Sequence, residues 1–368
     1  MVQRSNRLAG RVNVSKTISV KKKLIIGGVL VVILIVGFVV GMPLYKLHFK
    51  KIDWTGEDTI VYVRSDATLN NLSAELGRMG VVTQPTFLDF ADRLDFTEDK
   101  IEGGKYQIKA GMKVKELIYA FKNGNQEIKD TRITFNNCRD IYEMAGKVAP
   151  SIEADSAEIA DYIMDPATID KYGFKEETIC AMFLPDTYEV GEWDMDAEEF
   201  VSFMAEQFKS FWESEEGTGR GSKLAALNLQ QSEVATLASI LEAEQGLFSD
   251  EWPKIAGLYL NRVRDNWLLQ SDPTAKFCWG DSLRGVQRLL DVHMQIDCPY
   301  NTYKYPGLPP GPIRIPSKKA IDAVLNAEEH NYYYMCAAPN GTHNFAETYS
   351  QHLANARLWW QYANENNL

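Results

Sequence analysis

Apolar positions recur at different intervals along this chain, and each interval predicts a different kind of element. From Leu24 to Tyr45 the sequence LIIGGVLVVILIVGFVVGMPLY runs 22 residues without a charge. About 20 apolar residues in a helix span the hydrocarbon core of a bilayer, so the run predicts a transmembrane helix. A secretory signal has a shorter apolar region, about 7–15 residues, followed by a small-residue cleavage site. Neither feature occurs here, and the segment reads as an uncleaved single-pass anchor.

Beyond the anchor the period changes. TIVYV (59–63) alternates as a strand does, and within 69–79 Leu72 and Leu76 recur at helical spacing. Residues 86–94 predict a second helix, 103–112 a strand and turn, and 114–121 a third helix closed by Gly124. Small βααβ carbohydrate-binding modules have this order, as do many unrelated domains. From Ile133 a strand leads through 138–148 into a helical region ending near Ser210, and EEGTGRGS (215–222) reads as a loop. Helices follow at 232–245, 252–267 and 317–329. A Pro/Gly-rich segment occupies 297–317, a strand 332–337, and a terminal helix ends near Glu365. The body is therefore expected to be α+β.

Charge divides at the apolar run. Seven of the 39 basic residues (Arg4, Arg7, Arg11, Lys16, Lys21, Lys22 and Lys23) precede it with no acid among them, leaving 32 against all 50 Asp and Glu beyond it. Cations flanking a span are retained on the cytoplasmic side. The tail 1–23 is thus expected inside, the helix 24–45 in the cytoplasmic membrane, and 46–368 outside it, periplasmic or otherwise extracytoplasmic. A net charge of −11 disfavours nucleic-acid binding. A composition 45% hydrophobic and 24% charged excludes wholesale disorder. Cys138, Cys180, Cys278, Cys298 and Cys336 are widely spaced without a CxxC pair, which argues against a zinc site or a disulfide scaffold. One or two disulfides are compatible with export; buried free thiols are the preferred reading.

The densest chemistry lies in SEVATLASILEAEQG (232–246), with Ser232 as the expected N-cap and Gly246 as the stop. At 100° per residue Val234, Leu237, Ala238 and Leu241 share one face, and Glu244 projects from its edge. An apolar setting and the negative end of a helix both favour the protonated form of a carboxyl. Such a group suits the protonation of a glycosidic oxygen; a carboxylate that merely caps or bridges neighbours at a helix end fits the same pattern. Ser271, Asp272 and Pro273 form a polar turn. CPYNTYKYPGLPPGPIRIPS (298–317) brings Tyr300, Asn301, Thr302 and Tyr303 into a rigid loop, suited either to binding sugars or to holding the fold.

Seven segments in order, FLPDTYEV (183–190), ASILEAEQG (238–246), YLNRVR (259–264), LQSDPT (269–274), PYNTY (299–303), GLPPGPI (307–313) and GTHNFAETYSQH (341–352), resemble the endolytic murein transglycosylase family, MltG, also called YceG-like. The resemblance implies a one-pass anchor, a small LysM-like module over 46–130 and a catalytic domain over 131–368. It implies peptidoglycan strands as substrate, cut without water at the MurNAc–GlcNAc β-1,4 bond, with the second Glu of E-x-E, Glu244, as the catalytic residue. Gln270, Asp272, Tyr300, Asn301, Thr302, Tyr303 and His343 are then expected to bind substrate or orient Glu244. No cofactor and no metal is required: His48, His293, His330, His343 and His352 give no ligand spacing. Ala243 and Gln245 depart from the common Lys and Thr, and TFNNCRD (134–140) replaces the usual PEG-type turn, neither touching the proposed acid. The competing reading is a non-catalytic scaffold that binds glycan and recruits cell-wall synthases or division proteins.

Overall fold

The computed structural model describes residues 20–124, 131–214, 219–286 and 289–366. The first four basic residues of the tail and residues 215–218 of the expected loop lie outside these. The chain divides into two units, Met1–Glu127 and Ile128–Leu368.

In the first unit, α1 (Val20–Phe49) carries the apolar run, and its stretch Leu24–Phe49 is long and apolar enough to cross a membrane. Then come β1 (Thr59–Val63), α2 (Leu69–Arg78), α3 (Gln84–Arg93), β2 (Gly104–Ile108) and α4 (Val114–Lys122) in the order the sequence predicts. β1 pairs antiparallel with β2, with Val61 opposite Tyr106. Leu72 and Leu76 are buried, as their helical spacing requires, in a core with Phe87, Tyr106 and Phe121. The Tyr106 and Phe121 rings meet edge to face at 4.8 Å, and the Tyr106 hydroxyl donates to the Glu102 carbonyl at 2.7 Å.

The second unit is α+β and has two large cores. The first joins β3 (Thr131–Phe135), α5 (Ile141–Val148), α6 (Ser156–Met164), α7 (Pro166–Lys171), β4 (Asp186–Gly191) and α8 (Ala197–Glu213). β3 pairs antiparallel with β4, with an irregularity at Thr131 and Arg132. The second core centres on α10 (Gln231–Glu244), packed against α11 (Trp252–Arg264) and α13 (Lys318–Leu325). α9 (Arg220–Leu227), α12 (Asp272–Trp279), the hairpin of β5 (Tyr334–Ala337) with β6 (His343–Ala346), and α14 (Tyr349–Glu365) complete it.

Several boundaries differ from the sequence reading, each for a local reason. Part of the expected loop 215–222 is helical, because Arg220 at the start of α9 forms a two-pronged ion pair with Asp322 (2.7 and 2.8 Å). α10 begins at Gln231, not after Ser232: Gln230 is the cap, and its N–H donates to the Glu233 carboxylate at 2.7 Å. α11 stops at Arg264, short of Trp267, where Asn266 adopts a left-handed φ of 52°. α13 likewise ends at Leu325, before the expected 329. The polar turn at 271–273 is the first turn of α12, a position where proline's missing N–H costs nothing. Cys278 and Cys298 are joined in a disulfide, correcting the preference for free thiols, while Cys138, Cys180 and Cys336 remain unpaired. The sequence could not show this pairing, since the fold of α12 against the 298–305 loop is what brings the two Cα atoms to 6.1 Å.

Candidate active site

α10 is more deeply embedded than an amphipathic reading allows. Every residue from Val234 to Leu241 is buried, so the helix has no solvent face along its middle two turns. Ser239 links it to the Pro-rich loop: its hydroxyl donates to the Thr236 carbonyl (2.7 Å) and accepts from the Ile313 N–H (3.0 Å). The first and last turns of α10 are half-buried, and the two glutamates of the last turn differ in their surroundings. The Glu242 carboxylate accepts the N–H of Ser317, the cap of α13, at 3.0 Å. Glu244, the last residue of α10, is half-buried and lines a cleft of about 1210 Å³.

The Glu244 carboxylate accepts one hydrogen bond, from the Ser271 hydroxyl at 2.9 Å. Burial raises its proton affinity above that of an ordinary glutamate. The Ser271 hydrogen bond and the nearby His343 imidazole oppose that rise, the charge of Asp272 adds to it, and the Tyr259 hydroxyl opposes it. Tyr259 sits buried beside Glu244 and Ser271, its hydroxyl aligned with neither, and burial followed by the Glu244 charge holds its phenol well above the usual range. The carboxyl is therefore set up to carry a proton at a pH where exposed glutamates have lost theirs.

The other expected site residues fall into two groups. Asp272, in the first turn of α12, is exposed on the cleft and accepts the Tyr303 hydroxyl at 2.5 Å. Tyr303 is half-buried, and burial together with that hydrogen bond raises its pKa far above the phenol value. Tyr300 is half-buried against Phe277, with ring centroids 4.6 Å apart, and burial pushes its phenol up to about 12. Asn301 and Thr302, expected to bind substrate or orient Glu244, are buried. Both Asn301 side-chain donations go to the carbonyls of Met294 and Ile296 (2.9 and 2.8 Å), and its side-chain oxygen accepts from Tyr303 N–H. Thr302 Oγ1 accepts from the Ser271 N–H at 3.0 Å and meets Thr274 Oγ1 at 2.7 Å. Thr302 holds Ser271, Ser271 holds Glu244, and Asn301 braces the loop that carries Thr302. Gln270 is exposed with a left-handed φ of 50°, and its N–H donates to the Thr302 carbonyl at 3.1 Å.

His343 is joined to the same region through Glu251. The Glu251 carboxylate accepts the His343 N–H at 2.9 Å, contacts its Nδ1 at 3.1 Å, and also accepts from the Gln245 side chain at 2.9 Å. Gln245 follows Glu244 directly, is 4% exposed, and uses its side-chain oxygen to accept the N–H groups of Leu247 and Phe248. A glutamine at a position noted only as a departure from pattern thus fixes the chain leaving α10.

Sequence reasoning did not single out Ser271, Tyr259, Glu251 or Arg262. Arg262 is 7% exposed and donates to the carbonyls of Tyr333 and Leu269, tying α11 to the start of β5 and to the segment before Ser271. Ser271 was quoted within LQSDPT, yet nothing in a polar turn says which of its hydroxyls faces a carboxylate 27 positions earlier. The substituted turn 134–140 does not touch Glu244 but lies on its cleft, where Asn137, Arg139 and Asp140 form part of the wall.

The YceG-like family model matches residues 61–358 of this chain. The endolytic murein transglycosylase of Bacillus subtilis (strain 168) is 26% identical over 265 residues, covering 68% of this chain and 71% of that protein. The endolytic murein transglycosylase of Streptococcus pneumoniae serotype 2 (strain D39) is 32% identical over 137 residues, which is 36% of this chain and 25% of the relative. In fold, the chain is similar to the crystal structure of a putative YceG-like protein from Listeria monocytogenes, with a TM-score of 0.52 and 21% identity over 82% of this chain and 99% of that one. With the family model spanning both the strand–helix module and the unit that holds Glu244, this chain belongs to the YceG-like family.

Proposed function

We propose that this protein is a membrane-anchored lytic transglycosylase of peptidoglycan in which Glu244 serves as general acid and then as general base. One observation carries the reading: the Glu244 carboxyl, at the end of a buried helix and with its neutral form favoured by burial, lines a cleft of about 1210 Å³, large enough for several sugar rings. The names of the Bacillus and Streptococcus relatives support the same substrate.

In this reading Glu244 protonates the oxygen of the MurNAc–GlcNAc β-1,4 bond as it breaks, and the N-acetyl group of MurNAc stabilises the positive charge developing at C1. The Glu244 carboxylate then takes the proton of the C6 hydroxyl of the same sugar, whose oxygen closes on C1. The product is a 1,6-anhydro end, and the carboxyl regains its proton. Substrate-assisted chemistry of this kind departs from the two-carboxylate rule of ordinary glycosidases. Ser271 orients Glu244, Asp272 lines the same cleft, and Gln270, Tyr300, Tyr303 and His343 bind substrate or orient these groups. Residues 1–23 lie in the cytoplasm, 24–45 cross the membrane, 46–130 form a LysM-like module, and 131–368 form the catalytic domain outside.

Mass spectrometry of glycan strands incubated with the full chain tests this. Strands ending in 1,6-anhydro-MurNAc are expected from the wild type, with a loss of at least about 100-fold for Glu244→Gln, the scale of general acid–base catalysis. Reducing ends in place of anhydro ends would make the protein a hydrolase and overturn the reading.

A further inference from the structure

The cleft around Glu244 holds more positive charge than bond cleavage uses. Arg139, Lys276, Arg284 and Arg314 all line it. Arg139 is matched, lying 3.0 Å from Asp140 and 2.6 Å from Asp281. The other three are not. Lys276 Nζ donates to the Val286 carbonyl at 2.6 Å, a neutral acceptor. Arg314 donates to the side-chain oxygen of Asn137, also neutral, and its Nε is buried without a partner among the described residues. Arg284 is exposed, and its guanidinium has no hydrogen-bond or ion-pair partner among the described residues.

The acids of the same cleft all have partners, though Asp140 and Asp281 share the one Arg139 and Asp272 meets only the neutral Tyr303 hydroxyl. Asp140 caps α5 and pairs with Arg139, Glu143 pairs with Lys147 at 3.0 Å, Asp281 pairs with Arg139, and Asp272 accepts Tyr303. Glu244 favours its neutral form. Three cations without acidic partners, in a chain carrying 11 more acids than bases, form a site for an anion. Two rings flank it: Tyr142, 65% exposed on α5, and Phe277, 38% exposed on α12. Exposed rings in a cleft stack on the apolar faces of sugars.

If the substrate is peptidoglycan, as the proposed function has it, its sugars supply no anion, because each lactyl carboxyl is taken up in the amide that attaches a stem peptide. The free carboxylates of that polymer belong to the peptides. We propose that Lys276, Arg284 and Arg314 form a subsite for stem-peptide carboxylates beside the scissile bond, so that the protein selects peptide-bearing strands over stripped ones. Guanidinium groups hold carboxylates by paired, charge-assisted hydrogen bonds.

The test is equilibrium binding to the full chain carrying Glu244→Gln, in detergent, with three soluble probes: uncross-linked glycan oligomers bearing peptides, the same oligomers stripped by an amidase with the lactyl carboxyls so freed converted to amides, and peptide-bearing oligomers with every carboxylate amidated. Peptide-bearing oligomers are expected to bind about tenfold or more tightly than either of the others, the cost of losing a charge-assisted hydrogen bond. The advantage is expected to shrink as salt rises. Adding Arg284→Gln and Lys276→Gln, both at solvent-accessible positions, is expected to bring the ratio close to one, and Arg284→Lys to restore part of it. Equal binding of all three probes, or a ratio unmoved by the added changes, would overturn the proposal. Cleavage by the wild type of peptide-bearing and stripped strands separates the two readings. Anhydro products without preference would leave the transglycosylase standing and remove the subsite; preferential binding without cleavage would do the reverse.

Discussion

Under the proposed function Glu244 and Ser271 form the smallest unit of the chemistry, and its pH behaviour follows from the signs of its interactions. Burial raises the Glu244 proton affinity above the ordinary 4.5, and the Ser271 hydrogen bond, which favours the anion, holds part of that rise back. Ser271→Ala removes the restraint, so the limb of the kcat/KM profile on which the protonated acid is lost should move to higher pH. The maximal rate should fall by about tenfold as the carboxyl loses its orientation. A pH–rate profile of the two proteins checks both. The same raised affinity has a consequence for stability. Above 4.5 the unfolded chain releases this proton while the folded chain still holds it, so stability from this group declines as pH rises until the folded carboxyl also ionises. Glu244→Gln has no such decline. Its melting temperature should exceed that of the wild type at neutral pH and converge with it below about pH 4.5, as calorimetry across that range would record.

Elements place this residue, and two constraints on them are open to test. Gly311, in the loop that Ser239 anchors, has no room for a side chain: a Cβ there would stand 1.9 Å from the Glu177 carbonyl oxygen. Gly311→Ala should destabilise by about 1–3 kcal/mol, the scale of overpacking, seen as a lower denaturation midpoint. The Cys278–Cys298 disulfide closes a stretch of 20 residues between α12, which carries Asp272, and the loop that carries Asn301, Thr302 and Tyr303. Its reduction should cost about 3 kcal/mol by loop-closure entropy, measurable by unfolding with and without reductant. Elements with a repeating pattern were legible in advance. Leu72 and Leu76 mark α2 by their spacing, and TIVYV marks β1 by alternation. Those fixed by distant partners were not. α9 exists where glycines and polar residues predict a loop, because Arg220 meets Asp322 102 positions away, and β6 is a strand through pairing with β5. The site divides the same way. Glu244 was nominated by its place on a helix and by motif resemblance, while the contacts of Ser271, Thr302 and Asn301 depend on which atoms face inward, which side-chain type alone does not encode.

At the scale of the whole molecule the proposed anchor commits the cleft to one side of a membrane. The uncharged run of α1, 24–45, is 22 residues, about 33 Å at 1.5 Å per residue, so it fits a hydrocarbon core of about 30 Å with a moderate tilt. Length sets no direction; flanking charge does. Seven cations precede the apolar run, and on the far side Lys46, Lys50 and Lys51 follow it closely. The bias is therefore a difference between two positive flanks, which makes it reversible. In right-side-out spheroplasts an external protease should digest the body of the wild type, leaving a membrane-protected fragment that contains the tail and α1. Replacing all seven leading cations with glutamine leaves the three lysines as the stronger flank. Insertion should then invert in a substantial fraction of molecules, with the body protected from the same protease until the membrane is opened by detergent. If the cleft works on glycan outside the cytoplasm, anhydro products should fall in proportion to the protected fraction. Inversion without that fall would mean that the body acts on something the cytoplasm also contains.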